Sequence, residues 1–258
     1  MPIPLHSVVA YLDQTLEISR FKDYGPNGLQ IEGRRDVSTV VTGVSATMEL
    51  FERAQALSAD LIVVHHGLIW GGGLRTITGT DASRVRFLMK HDMSLAGYHL
   101  PLDHHPHLGN NAGLCEAIGL GAERDGFGDV RGHALGVAAS WPEPLSRDDA
   151  LAGISKGVLA GAEPRFVFAH GPEQVQRVGL CTGAASDLME DAAAAGCDLY
   201  LTGELAERAG PLARELGITL VAAGHHATEV FGPRSLCGAL REQFADLTVE
   251  FIDVANPL

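Results

Sequence analysis

Three apolar runs of this chain end in histidine. Leu61-Ile62-Val63-Val64 leads into His65-His66-Gly67; Ser94-Leu95-Ala96-Gly97-Tyr98 leads into His99, with Asp103 shortly after; and Thr219-Leu220-Val221-Ala222-Ala223-Gly224 leads into His225-His226-Ala227-Thr228-Glu229. Short β-rich runs read as buried strands, so each cluster sits where a strand opens into a loop, the edge at which open α/β sheets bind ligands. Imidazoles and carboxylates converging there from separate segments are the donor set of a Zn, Mn, Fe, Co or Ni site.

Spacing constrains how these donors could share a cation. Consecutive strand residues point to opposite faces, so His65 and His66 serve one site only where the backbone turns, as Gly67 would permit, or where two metals lie on either side. An aspartate can bridge two cations with its two oxygens, which a histidine cannot, and this makes Asp103 the natural bridge. His225 and Glu229 share a face if the segment after Gly224 enters a helix. The competing reading is a bare helix start, with His226 or Thr228 as cap and Glu229 favoured by the dipole. His104, His105 and His107, crowded around Pro106, are expected to face solvent.

The elements that must position these residues follow from periodicity and turn signals. A first helix spans about Ser7 to Leu16, and Asp23 to Gln30 is a turn-rich loop. Strand Thr39–Val44, helix Met48–Leu57 and strand Leu61–Val64 form a βαβ unit, followed by helix Arg84–Lys90, strand Leu95–Tyr98 and helix Asn111–Ile118. Between His99 and Asp103, Leu100-Pro101-Leu102 reads as extended loop. The glycine-rich stretch Gly119–Gly132 is the expected linker. Beyond it come strands near 133–139, 165–169, 175–181, 199–202 and 218–222, and helices near 147–159, 187–195 and 205–216. A helix near 235–244 and a strand near 248–252 end the chain.

An internal echo suggests duplication. Thr42-Gly43, a helix and Ala59-Asp60-Leu61-Ile62-Val63 resemble Thr182-Gly183, a helix and Cys197-Asp198-Leu199-Tyr200-Leu201, with Gly203 and Glu204 standing where the first copy has His65 and His66. The role of Glu204 at that strand end is left open.

The chain's 258 residues carry a formal net charge of −13, which gives no indication of a nucleic-acid partner, since phosphate neutralisation needs clustered Lys and Arg. No stretch approaches the ~20 apolar residues that span a bilayer, and no leader is legible, so a soluble cytoplasmic protein with no membrane partner is expected. Cys115, Cys181, Cys197 and Cys237 lack CxxC spacing and read as buried thiols in a reducing compartment.

Six ordered motifs resemble one known family over essentially the whole chain. They are Asp23-Tyr24-Gly25-Pro26-Asn27-Gly28-Leu29-Gln30, Val64-His65-His66-Gly67, His99-Leu100-Pro101-Leu102-Asp103, Gly109-Asn110-Asn111, Leu201-Thr202-Gly203-Glu204 and Gly224-His225-His226-Ala227-Thr228-Glu229. The sequence is similar in these to the dinuclear-metal-centre, Nif-three-like proteins that form toroidal hexamers, often named GTP cyclohydrolase I type 2 homologues. The resemblance implies two divalent transition-metal ions per subunit (Zn, Mn, Fe, Co or Ni) on His65, His66, Asp103, His225 and Glu229, with His99 as ligand or catalytic residue. It also implies a homohexamer enclosing a cavity. Many members carry Thr-Asn between the motif histidine and aspartate, and a proline after the paired histidines where this chain has Gly67.

The expected fold is α/β, two interleaved α/β units with the second inserted in the first. Residues 1–125 plus 220–258 would form the metal-binding unit and 126–219 the insert. The expected function is a dinuclear-metal-dependent hydrolase of a small-molecule or nucleotide substrate, with a metal-bridging hydroxide as nucleophile. The rival is a non-enzymatic protein that stores, delivers or senses metal, or a ring that encloses nucleic acid.

Overall fold

The computed structural model describes residues 1–71 and 76–258 of the chain. They form two compact units, residues 1–102 with 232–254, and residues 103–231 with 255–258. Residues 103–231, the bulk of the second unit, are thus inserted in the first, and the last four residues belong to the second unit again.

The first unit contains β1 (Ile3–Pro4), α1 (Leu5–Thr15), β2 (Gly28–Ile31), β3 (Asp36–Val37), β4 (Thr39–Ser45), α2 (Met48–Ala56), β5 (Leu61–His66), α3 (Gly79–Lys90) and β6 (Ser94–Gly97), and regains the chain at its end through the strand Thr248–Phe251. That C-terminal strand, β4, β5 and β6 run parallel in this order, and β2 closes the sheet antiparallel to β6. Strands buried on both faces require the near-continuous apolar runs seen in the sequence. Thr47 caps α2 by accepting from Leu50 N, and the helix buries Leu50, Phe51 and Ala54 against Val41, Ile62, Val64 and Leu95. Each large side chain so buried contributes about 1.5–3 kcal/mol.

The second unit begins within α4 (Leu100–His104) and continues through α5 (Asn110–Ala117), β7 (Arg124–Val130), β8 (His133–Ser146), α6 (Arg147–Val158), β9 (Phe166–Ala169), β10 (Gln174–Cys181), α7 (Met189–Ala194), β11 (Leu199–Thr202), α8 (Ala209–Leu216), β12 (Thr219–Ala222) and α9 (His225–Thr228). Its sheet has the order β7-β8-β10-β11-β12-β9, with β10, β11 and β12 parallel and the outer pairs antiparallel. Trp141, Ile154, Val178, Leu180, Leu199 and Val221 lie in its core.

The two units repeat one hydrogen-bond pattern. Asp60 accepts from Ser38 N and Thr39 N at 2.7 and 3.0 Å, and Asp198 accepts from Gln176 N and Arg177 N at 2.9 Å each. Asp60 N bonds Thr39 O and Asp198 N bonds Arg177 O, while their carbonyls receive Ser94 N and Thr219 N. Each aspartate therefore ties the start of its strand to both neighbours. The Thr-Gly half of the echo does not superimpose. Val40 faces Leu61 as Val178 faces Leu199, so the equivalent of Thr182 is Val44 and not Thr42.

Three expectations are corrected. The glycine-rich 119–132 segment is no linker: half of it is β7, an edge strand paired along β8. Glycine and charge at an exposed edge disguise a strand, because pairing there is decided by a distant partner. The divisions expected at 125/126 and 219/220 both fall inside the second unit, since β7 and β12 are hydrogen-bonded into its sheet. Finally, Leu100-Pro101-Leu102 is helical rather than extended, with proline tolerated in a first turn.

Candidate metal centre

In the first unit the chemistry gathers at the carboxyl ends of β5 and β6. His65 is fully buried, with Nδ1 3.0 Å from the carbonyl oxygen of Tyr98. A carbonyl only accepts, so Nδ1 carries the proton and Nε2 the lone pair. His99 Nδ1 stands 2.8 Å from Asp23 Oδ1, which fixes the same tautomer, and His66 Nδ1 pairs with Ser45 Oγ at 3.1 Å. Binding histidines characteristically engage a carbonyl or carboxylate through the other ring nitrogen. Ligating atoms of His65, His66 and His99 lie within 4.8 Å of one another, a set able to hold a metal ion. The rings of His65 and His66 are 4.4 Å apart despite both residues belonging to β5, so strict alternation fails at the last residue of the strand.

His99 is held by the loop before β2. Asp23, whose side chain is only 1% exposed, also accepts from Tyr24 N, Asn27 Nδ2 and Leu100 N, while Asn27 Oδ1 accepts from His99 N. Burial alone would raise the Asp23 pKa, but the hydrogen bond and charge of His99, the Asn27 amide and the Tyr24 N–H outweigh it and hold Asp23 below its ordinary value. The backbone amides at the start of α4 are thereby capped by a distant loop.

Gly67 does not work as expected. It lacks positive φ, and its role is space: a Cβ there would overlap the Gln30 amide. Gln30 accepts from Leu68 N and Ile69 N at 2.8 and 3.1 Å and donates to Pro26 O at 2.9 Å, pinning the segment after the paired histidines.

In the second unit, candidate ligands again follow the ends of parallel strands. His225 opens α9 after Gly224, whose φ is +96°, and Glu229 ends it, placing the pair together as the i, i+4 spacing requires. His225 Nε2 lies 3.0 Å from Glu229 Oε2, and its Nδ1 lies 2.7 Å from Glu204 Oε1. Burial would lower the His225 pKa, but Glu229 and then Glu204, by hydrogen bond and charge, raise it to about 9. Glu204, unassigned from sequence, is the residue that orients this imidazole.

Two glycines make room for the arrangement. Gly183 sits at φ +68°, and a Cβ on it would overlap Glu229 Oε1 and come 3.3 Å from His225 Nε2. A Cβ on Gly203 would lie 2.7 Å from His225 Cα. Thr228 accepts from Gly183 N and donates to carbonyls at the start of α9, so it ties this turn together rather than capping it as a free helix.

Asp103 is buried, and its Oδ1 accepts from Asn110 Nδ2 at 2.9 Å and Thr182 Oγ1 at 3.2 Å. An oxygen that already carries two protein donors is poorly placed to bind a cation as well, which counts against Asp103 bridging two cations through both oxygens. Asn111 supports the same turn through Asp103 O, Leu135 O and Thr182 N. Burial, with the charges of Asp103 and Glu229, pushes the Cys181 thiol far up, so it stays protonated. All four cysteines are free and buried, in line with the sequence reading.

Among the described residues, His104, His105 and His107 join no such cluster. Only His107 is exposed; His104 and His105 are half-buried, with His105 Nδ1 accepting from His107 N and Leu108 N. Sequence reasoning gave Asp23, Asn27, Asn110, Thr182 and Glu204 no role. The signal for the first two was present, since Asp and Asn flanking a Gly-Pro turn are side-chain acceptors for backbone amides. No helix among the described residues is long and apolar enough to cross a membrane.

Comparison with known proteins matches residues 3–257 to the family described as Duf34/NIF3 (NGG1p interacting factor 3). The chain is 39% identical over 257 residues to a Pseudomonas aeruginosa protein named GTP cyclohydrolase 1 type 2 homolog, covering 100% of both. An Escherichia coli protein of the same name is 40% identical over 246 residues, covering 95% of this chain and 96% of that one. Among solved structures, a protein titled ybgI, of unknown function, superimposes with a TM-score of 0.91 at 38% identity, over 99% of this chain and 100% of that one. A protein from Thermus thermophilus does so with a TM-score of 0.87 at 32% identity, over 99% and 100%.

Proposed function

The chain belongs to the Duf34/NIF3 family, and from that premise we propose that it is a dinuclear-metal-dependent hydrolase acting on a small-molecule or nucleotide substrate in the cytoplasm. The observation that carries the reading is the histidine triad of the first unit, in which every Nδ1 is engaged by a protein partner. A core or incidental histidine needs one satisfied nitrogen; three oriented alike around one point are the arrangement of a cation site. By the family resemblance, two divalent ions would be held by His65, His66, Asp103, His225 and Glu229, in a homohexamer.

Bound cations would supply Lewis acidity, activating water at neutral pH and offsetting negative charge that develops on the substrate. The protein's own residues do the rest. Asp23 pins the Nδ1 proton of His99, so Nε2 is the basic nitrogen that binds a cation or takes a proton from the attacking water. Glu204 holds His225 in one orientation, and the Asn110 and Thr182 donors hold the Asp103 carboxyl in place.

Metal analysis of the purified protein after reconstitution with Zn, Mn, Fe, Co or Ni tests the centre, and a screen of that protein against phosphoesters, nucleotides and cyclic amides tests the activity. Two equivalents per chain and turnover abolished by chelation are expected. Occupancy that never exceeds one equivalent would rule out the dinuclear reading. Metal transfer to a partner with no turnover of any compound would favour the storage, delivery or sensing role.

A further inference from the structure

Within the second unit, a cavity of about 420 Å³ opens at the carboxyl ends of β11 and β12. That is within the size range of small-molecule pockets, and the carboxyl edge of parallel strands is where such sheets bind ligands. Its apolar walls are Leu159, Leu205 and Phe166, the last 51% exposed on the edge strand β9. Its charged side chains are Glu163, Arg165 and Glu204. Glu204 faces two ways: Oε1 takes the imidazole of His225, and the residue is also part of the cavity wall. An exposed phenylalanine beside two carboxylates and one guanidinium is complementary to a flat apolar body with a nitrogen donor head.

We propose that this cavity binds a small organic molecule with a planar apolar body stacked on Phe166 and an N–H-rich or cationic head, of the amidine or amino-heterocycle kind, hydrogen-bonded to Glu204. Such a ligand stands one hydrogen bond from His225, so the inference rests on the metal-dependent reading for its link to chemistry, though not for binding itself. Arg165 at the same wall accommodates an anionic substituent away from the head.

The test is an NMR titration of the full-length protein, as purified, with benzamidine, and with benzoate and benzyl alcohol as anionic and neutral comparators. Metal content is measured on every sample. Benzamidine should saturate a single site, and Glu204→Gln and Phe166→Ala should each weaken it by about tenfold, the effect of removing one charge-assisted bond or one stacking face. Phe166 is half exposed, so its removal leaves the fold in place and guards against a result that reports only unfolding. Both comparators should bind at least about tenfold more weakly than benzamidine. Equal binding of benzamidine and benzoate, or affinity unchanged in both variants, would overturn the proposal. Full metal content without benzamidine binding would overturn the pocket and spare the metal centre. Binding that depends on Glu204 and Phe166 in a protein that takes up no metal would support the pocket and sink the hydrolase reading.

Discussion

Metal uptake by this chain should compete with a proton on His225, and the structure sets both the sign and the size. In the metal-free protein Glu229 and Glu204 raise the His225 pKa from 6.5 to about 9. A raised pKa means that the folded protein holds the proton at neutral pH, whereas a cation requires the neutral imidazole, so binding must expel it. Two units below its pKa, about one molecule in a hundred has His225 neutral, so affinity at pH 7 is on the order of a hundredfold below its high-pH limit. The logarithm of affinity should therefore keep rising by about one per pH unit between pH 7 and 8.5, a range in which histidines of ordinary pKa have already lost their protons. Mn²⁺ titrations by calorimetry, in buffers of different ionisation enthalpy, count the released protons directly. Glu204→Gln removes one of the raising groups, so its curve should level off at lower pH. The linked stability effect has the opposite sense: in metal-free protein this protonation stabilises the fold fully below about pH 6.5 and is lost as pH rises through about 9. Affinity that is flat from pH 7 to 8.5, or proton release unchanged in Glu204→Gln, would refute the reasoning.

Three further outcomes follow from the geometry. Gly183→Ala should abolish the Glu229 position, since the new methyl overlaps Oε1 and a non-glycine residue at φ +68° costs a further ~1–2 kcal/mol; circular dichroism should show a folded protein and metal analysis a depleted one. Asp103→Ala should empty chiefly one metal position and Glu229→Ala both, while His105→Ala and His107→Ala keep full occupancy; metal counts for the four variants decide this, and loss in the last two would contradict the ligand set. Asp23→Asn replaces a charge-assisted bond worth about 1.5–3 kcal/mol, so affinity at the histidine triad should drop roughly tenfold or more, read by competition with a chromophoric chelator, and a drop no larger than in a surface Asp→Asn control would show that His99 is not held this way.

Strand-end histidines, apolar runs and the spacing of His225 and Glu229 were legible in the sequence, because each is a local pattern: two-residue and i, i+4 periodicities need no partner to be recognised. The α/β class with one unit inserted in the other was legible for the same reason. What the chain could not disclose locally is whatever a distant segment decides. Edge strand β7 exists because β8 pairs with it, and the unit boundaries move with that pairing. Gly67 reads as a turn residue but is small because Gln30 occupies its side-chain space. Asp103, chemically able to bridge, has one oxygen taken by Asn110 and Thr182, the second from a strand end far along the chain. Residue type and spacing thus determined which atoms can bind, while tertiary structure decided which nitrogen carries a proton, which oxygen is already used and which carboxylate orients which ring. Those choices are made by hydrogen-bond partners tens of residues away, and satisfying buried polar groups is a property of the packed fold.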